Sequence, residues 1–414
     1  MEAGILITYT LLFVSLYFEV FLLVSFLEKR SQRRMIGAAE RNEATLPSVA
    51  VVVPCFNEEK SVAGTLRSLL ALRYPAEKFE ILVVDDGSHD ATYFVAREFE
   101  SNAPAAPAVR VFRKENGGKH TAMNLALANT KAELIGCLDA DSIVEADALM
   151  RIARVFDDAQ VAAVTPGIHV RKPQTLLQHM QKVEYRLSIF NRFMLAALGS
   201  AFITPGPFSV FRAGVVRELG GWRHGHSTED MEMALRIQKA GHLIANAPGA
   251  VVHTTAPRTF RTLFRQRTRW TYGFLRNAFD YRYMLANRQY GNLGLIVMPL
   301  ALISVGTGIY FFIRTLFFGA ISLAKEFARI QSTGIFPEPH FGLFYVNTSA
   351  LWFLVVAAVA MVLILICLGS LIGTGRRRPP LGTPLFLLFY SFLAPLWLSA
   401  ALVRAILRTG VNWR

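Results

Sequence analysis

Apolar residues are spread along this chain in two different ways: unbroken runs at the ends, and short bursts between polar stretches in the middle. Residues 4–27 form one run interrupted by a single acid, Glu19. About 20 consecutive apolar residues suffice for a helix to cross a bilayer. Three more runs, at about 293–317, 351–372 and 384–406, lie toward the other end, so the pattern predicts four membrane spans. The first run does not read as a signal peptide. The preceding Met1-Glu2-Ala3 is not cationic, the run is too long, and no Ala-x-Ala site follows it.

From about residue 42 to 290 the pattern changes. Short β-branched bursts at 49–53, 79–84, 109–112, 134–138 and 161–165 predict strands. Amphipathic stretches at 60–72, 91–100, 119–129 and 146–156 predict helices between them. Strands alternating with helices imply a parallel α/β sheet, in which ligands bind beyond the carboxyl ends of the strands.

Composition sharpens the contrast. The chain is 53% hydrophobic and 18% charged, against about 25% charged in an ordinary soluble domain. Disorder, a coiled coil and a collagen-like chain are excluded. The formal net charge of +14 is placed by the cationic segments. Lys29, Arg30, Arg33 and Arg34 follow the first run, and Arg376, Arg377 and Arg378 lie between the last two. By the positive-inside rule the N-terminus is external and the middle of the chain cytoplasmic. Arg404, Arg408 and Arg414 then fall on the external side, which leaves a re-entrant or interfacial last helix as the alternative to a fourth span. Three cysteines, Cys55, Cys137 and Cys367, have no paired spacing. Neither a disulfide framework nor a cysteine zinc site is expected, and Cys55 and Cys137 read as small buried residues.

Candidate chemistry stands at the predicted strand ends. The second strand runs into Asp85-Asp86-Gly87-Ser88, which reads either as an Asx-turn with a helix cap or as a ligand site. The fourth runs into Asp139-Ala140-Asp141. Residues i and i+2 of an extended chain face the same side, and two carboxylates there suit Mg²⁺ or Mn²⁺ shared with substrate phosphates. Between them lies Asn116-Gly117-Gly118-Lys119-His120 ahead of a helix, either an ordinary turn or backbone amides and an ammonium approaching phosphate.

Farther on, Ser227-Thr228-Glu229-Asp230 opens a helix predicted over 231–240. Its acids either complement the helix dipole or present a general base. Residues 258–276 interleave Arg258, Arg261, Arg265, Arg267, Arg269 and Arg276 with aromatics, the pattern of a basic amphipathic helix at a lipid surface. The adjacent span argues against nucleic acid as the partner. The Gln266-Arg267-Thr268-Arg269-Trp270 core is too specific for lipid binding alone.

Asp85-Asp86-Gly87, Asp139-Ala140-Asp141, Thr228-Glu229-Asp230 and Gln266-Arg267-Thr268-Arg269-Trp270, in that order and flanked by spans, resemble the membrane-embedded family 2 glycosyltransferases. That group includes cellulose, hyaluronan, chitin-type and poly-N-acetylglucosamine synthases. The resemblance covers about residues 48–275 and implies a GT-A, Rossmann-like fold with a mostly parallel sheet beside a helical membrane region. It divides the chain into an N-terminal membrane helix (1–28), a GT-A domain (42–256), interface helices (257–290) and a membrane region of about three helices (293–414).

Residue by residue, the resemblance implies that Asp86, with Asp85, contacts the uridine of a UDP-sugar, and that Asp139 and Asp141 hold Mg²⁺ or Mn²⁺ on the diphosphate. Asp230, with Glu229, supplies the catalytic base. Lys119, Gln266, Arg267 and Arg269 join Asp85, Asp86 and Asp139 around the donor, and Trp270 stacks under the acceptor sugar. Thr204-Pro205-Gly206-Pro207 stands where relatives have a small turn beside the acceptor.

The expected reaction is inverting transfer from a UDP-sugar to a growing β-linked polysaccharide at the cytoplasmic face of the cell membrane, with or without extrusion. The alternative is transfer of a single sugar to a lipid. The expected partners are a UDP-sugar, a carbohydrate or glycolipid acceptor, and membrane lipids. Four spans are few for a channel, which points to a small partner subunit or a second copy, or to no channel at all. A non-catalytic scaffold is disfavoured by the intact set of acids.

Overall fold

A computed structural model of the chain describes residues 2–29, 46–101, 107–336 and 349–410. Arg30, Arg33, Arg34 and Arg414 lie outside the described residues. After the helix α1 (Glu2–Lys29), β1 (Val49–Cys55), α2 (Val62–Leu70), β2 (Phe79–Asp85), α3 (Thr92–Arg97) and β3 (Ala108–Arg113) alternate as the pattern predicts. The helix α4 (Lys119–Ala128) leads into β4 (Leu134–Cys137), the two-residue β5 (Ile143–Val144) and α5 (Ala148–Ala153).

The next stretch holds elements the sequence reading lacked. β6 runs over Val161–Val170, five residues beyond its predicted end, and is buried throughout. The 22-residue α6 (Leu176–Ala197) starts at a capping box between Thr175 and Gln178. Then follow β7 (Val210–Arg212), α7 (Ala213–Glu218), α8 (Glu229–Lys239), β8 (Leu243–Thr254) and α9 (Phe260–Asp280).

The strands form one sheet in the order β3-β2-β1-β4-β7-β6-β8-β5. β1, β2, β3 and β4 pair in parallel, as do β6 and β8, whereas β7 is antiparallel to β4 and β6, and β5 to β8. The sheet is therefore mostly parallel, with two short antiparallel strands. The antiparallel strands β5 and β7 are two and three residues long, too short to leave a periodic signal.

Side chains alternate across the sheet with the period of a strand. On β1, Val49, Val51, Val53 and Cys55 join one core layer, and Ala50 and Val52 join the other. Between these layers Asp85 ends β2, Asp86 follows it, and Asp139 lies just beyond β4, at the carboxyl ends of the parallel strands.

Four helices among the described residues are long and apolar enough to cross a membrane: α1, α10 (Leu293–Thr333), α11 (Ala350–Thr374) and α12 (Thr383–Leu407). α10 continues well past residue 317, and residues 337–348 after it lie outside the described ones. These helices buttress the sheet domain directly. Leu22 and Phe26 of α1 and Leu365 of α11 pack on Phe190 and Met194 of α6. Met231 and Leu235 of α8 pack with Leu293, Val297 and Met298 at the start of α10. Leu263 of α9 packs with Tyr390 and Trp397 of α12.

Helix α9 therefore does not simply lie on a lipid surface. Leu263, Arg267, Thr268, Tyr272, Gly273, Asn277 and Ala278 make up its buried face, while Phe260 and Phe279 remain exposed.

Candidate active site

The Asp139-Ala140-Asp141 segment is not extended. It sits on a turn closed by the Ser142 N–H donating to the Asp139 carbonyl at 2.9 Å. The buried Thr65 hydroxyl of α2 meets the Ala140 and Ser142 carbonyls at 2.8 Å each and fixes the turn to the sheet. Lys119, the first residue of α4, reaches Asp139 Oδ1 at 2.5 Å. This approach needs Gly206, because a β-carbon there would lie 2.4 Å from Lys119 Nζ and 2.9 Å from Asp139 Oδ1.

Asp230 enters from α8. Its carbonyl accepts from the Thr204 hydroxyl at 2.7 Å, and its own Oδ1 accepts the Met231 N–H at 2.9 Å. Thr228 does not use its side chain as a helix cap, since its hydroxyl donates to the Gly225 carbonyl at 2.9 Å. Glu229 and Asp230 still lie in the first turn, where the helix dipole favours a negative charge.

Electrostatics tie these groups together. Burial, reinforced by Glu229, raises the Asp230 carboxyl to about 6, although Lys119 and Arg269 act against the rise. Burial, with Asp139 and Glu58, also raises Asp141 to about 6. Burial works against the Lys119 ammonium, but Asp139 with help from Glu229 outweighs it and holds that pKa well above the usual value. For Arg269, burial lowers the pKa and Glu229, Asp230 and Asp139 oppose the loss. Asp139, Glu229, Asp230, Lys119 and Arg269 thus act on one another electrostatically as one reaction cluster.

A desolvated carboxylate raised by neighbouring acids is what a divalent cation would relieve. Among the described residues no three acid, His or Cys side chains close into a cage. Two protein carboxylates with the remaining places left to substrate phosphates and water is the way Mg²⁺ is commonly bound. Asp139 and Asp141 therefore fit the donor set expected of them.

The second acid pair is held by its own set of partners. Lys114 Nζ stands 2.6 Å from Asp86 Oδ1, and the Gly117 and Gly118 N–H groups donate to the Asp86 carboxylate at 3.1 and 2.8 Å. These glycine amides bind a protein carboxylate, which overturns the reading of them as a phosphate cradle. Asp85 is fully buried, with Arg113 Nε 3.2 Å from its Oδ2.

Of the Gln266-Arg267-Thr268-Arg269-Trp270 residues, Arg269 joins the cluster and also donates to the Ser227 carbonyl at 3.3 Å. Gln266 Oε1 is buried without a hydrogen-bond partner, and Trp270 is 37% exposed. Arg267 is engaged by α6 and sits beside α12. It pairs with Glu184 of α6 at 2.7 Å, beside the Tyr390 hydroxyl that donates to the same oxygen at 2.6 Å, and its guanidinium lies over the Trp270 ring. Positions i and i+2 of a helix diverge by about 200°, which separates Arg267 from Arg269.

Cys55 and Cys137 are buried, and burial raises both thiols, Cys137 to about 12. They are packing residues. Sequence reasoning missed Lys114, Glu184 and Asn277, and named Gly206 only as part of the Thr204-Pro205-Gly206-Pro207 turn. Glu184 is recoverable from the periodicity of 176–197, whereas Lys114 and Gly206 take part only through tertiary approach.

A family model described as glycosyltransferase like family 2 matches residues 47–273. Poly-beta-1,6-N-acetyl-D-glucosamine synthases of Staphylococcus aureus (strain COL) and Staphylococcus epidermidis are each 28% identical over 264 residues, 63% of this chain and 63% of theirs. The chain thus spans under two thirds of the length of these curated relatives. Among solved structures, the mannosyltransferase PcManGT from Pyrobaculum calidifontis, in complex with GDP-Man and Mn2+, aligns with a TM-score of 0.60 at 18% identity. That alignment covers 96% of this chain and 99% of the other, and shows a shared GT-A fold.

Proposed function

This chain belongs to glycosyltransferase like family 2, and from that premise we propose that it transfers a sugar, with inversion, from a UDP-sugar to a growing β-linked polysaccharide at the cytoplasmic membrane face. The observation that carries this reading is that Lys119 meets Asp139 at 2.5 Å beside Gly206, while Thr204 of the same segment holds Asp230 through its carbonyl.

Each residue has a task in that reaction. Displacement at the anomeric carbon needs an acceptor hydroxyl that loses its proton as it attacks, and Asp230 is the carboxylate that takes it. Its raised pKa matches it to that task near neutral pH. Lys119 and Arg269 supply positive charge where the departing nucleoside diphosphate gains negative charge. Asp139 and Asp141 would hold Mg²⁺ or Mn²⁺, which supplies Lewis-acid stabilisation of that diphosphate. Asp86, held by Lys114 and the glycine amides, stands as a fixed acceptor for the donor base. Trp270 offers an exposed aromatic face on which a sugar ring stacks.

The four apolar helices support a multi-pass membrane protein whose acceptor is a carbohydrate or glycolipid, with a partner subunit or a second copy required only if the product is extruded. The test incubates the protein in nanodiscs with Mg²⁺ or Mn²⁺ and labelled UDP- and GDP-sugars. High-molecular-weight product from a UDP-sugar is expected. A single labelled sugar on lipid assigns the chain to the non-processive alternative, and no transfer from any donor overturns the reading.

A further inference from the structure

The turn ahead of Thr228-Glu229-Asp230 carries three consecutive left-handed residues, Gly225 (φ 51°), His226 (φ 53°) and Ser227 (φ 64°). Two of them have side chains that disfavour this region, so the turn persists only where its surroundings hold it. One face of α9 does so. The Asn277 amide Nδ2 donates to the Gly225 carbonyl and to Thr228 Oγ1, each at 2.9 Å. Arg269 donates to the Ser227 carbonyl, and Asp280 Oδ2 lies 2.7 Å from His226 Nε2.

Residues 269, 273, 277 and 280 follow the i, i+4, i+8, i+11 spacing of a single helix face. Close approach depends on Gly273, where a β-carbon would lie 2.2 Å from Thr228 Oγ1. Asn277 is 1% exposed, and its amide hydrogen bonds are made to protein groups. The turn also has room to relax. Gly225, His226, Asn277 and Asp280 border a cavity of about 820 Å³ lined by none of the acids of the reaction cluster.

We propose that Asn277 is a positioning residue for sugar transfer: by pinning Gly225 and Thr228 to α9, it holds the strained turn that sets where the Asp230 carboxylate sits. This rests on the reading of Asp230 as the base. Asn277 itself belongs to no part of the reaction cluster. Because α9 also packs on α12, the base takes its position from the membrane side of the molecule.

The test uses the full chain in nanodiscs. Asn277→Asp is nearly isosteric and cannot donate, and Asn277→Ala removes the group. Both variants should lower kcat about 10- to 100-fold, the cost of a misplacement on the order of 1 Å. The UDP dissociation constant should stay within about twofold, since the effect is one of positioning and not of donor binding. Thr228→Val should lose a similar amount and Thr228→Ser little. The Asn277→Ala/Thr228→Val double variant should be no worse than the poorer single one, because both remove the same link. Hydrogen exchange should rise at residues 225–230 and not at 85–88.

Wild-type kcat in Asn277→Asp, or a loss divided equally between kcat and UDP affinity, overturns the proposal. A wild-type protein that transfers no sugar overturns the functional reading instead. The exchange measurement then still reports whether Asn277 holds the turn.

Discussion

Lys119 Nζ lies 2.5 Å from Asp139 Oδ1, so the ammonium at the start of one helix and the carboxylate after a strand meet inside the reaction cluster. Neither reaches the other unless position 206 lacks a side chain. Gly206→Ala should therefore displace the flexible end of Lys119 rather than the backbone. The expected outcome is a loss in kcat/KM of about tenfold or more, about 1.4 kcal/mol of transition-state stabilisation, with little change in thermal unfolding. Transfer assays and an unfolding scan on the same preparation separate the two effects.

The raised pKa of Asp230 gives activity a pH dependence of definite sign. A general base works in its deprotonated form, so kcat should rise with pH through about 6 and level off above it. Glu229 raises this pKa, and Glu229→Gln should move the acid limb to lower pH. Arg269 acts in the opposite sense, and Arg269→Gln should move the limb upward while also lowering the plateau. Asp230→Asn should cost about 10²- to 10⁴-fold in kcat at any pH. A pH–rate profile of the three variants checks each direction.

Asp139 and Asp141 carry a separate prediction. Chelation should abolish transfer, and added Mg²⁺ or Mn²⁺ should restore it. Asp141→Asn removes a carboxylate that burial, with its acidic neighbours, raises to about 6. It should raise the metal concentration for half-maximal activity about tenfold or more. Metal titrations of wild-type and variant protein at saturating donor provide the measurement.

What could be read from the chain followed from periodicity and from strand ends. The bursts at 49–53 and 79–84 alternate across a two-layered core, so β1 and β2 and the acids after β2 were legible before any coordinates. The spans were legible because lipid-facing helices need long apolar runs. β5 and β7 were not, since strands of two and three residues leave no period. Local motifs also misled where tertiary partners decided the outcome. Gly117 and Gly118 resemble a phosphate cradle until the folded chain brings Asp86 to their amides. Asn277 gave no signal, because its partners Gly225 and Thr228 lie far from it in sequence and meet it only through the packing of α9.

The two arginines of the Gln266-Arg267-Thr268-Arg269-Trp270 segment should fail in different ways. Arg267 is 6% exposed and tied to Glu184, which also accepts from Tyr390, so it links α9 to α6 and to the membrane helix α12. Arg267→Gln leaves Glu184 without its cation, at a cost of about 1–3 kcal/mol for an unsatisfied charged group. It should lower the unfolding temperature and accelerate loss of activity on heating, while freshly prepared protein keeps its UDP affinity. Arg269 instead faces Glu229, Asp230 and Asp139. Arg269→Gln should leave unfolding nearly unchanged, reduce kcat and weaken UDP binding. Thermal unfolding and UDP binding measured side by side decide the matter. If Arg267→Gln weakens UDP binding as much as Arg269→Gln at unchanged stability, then Arg267 belongs to the donor site after all.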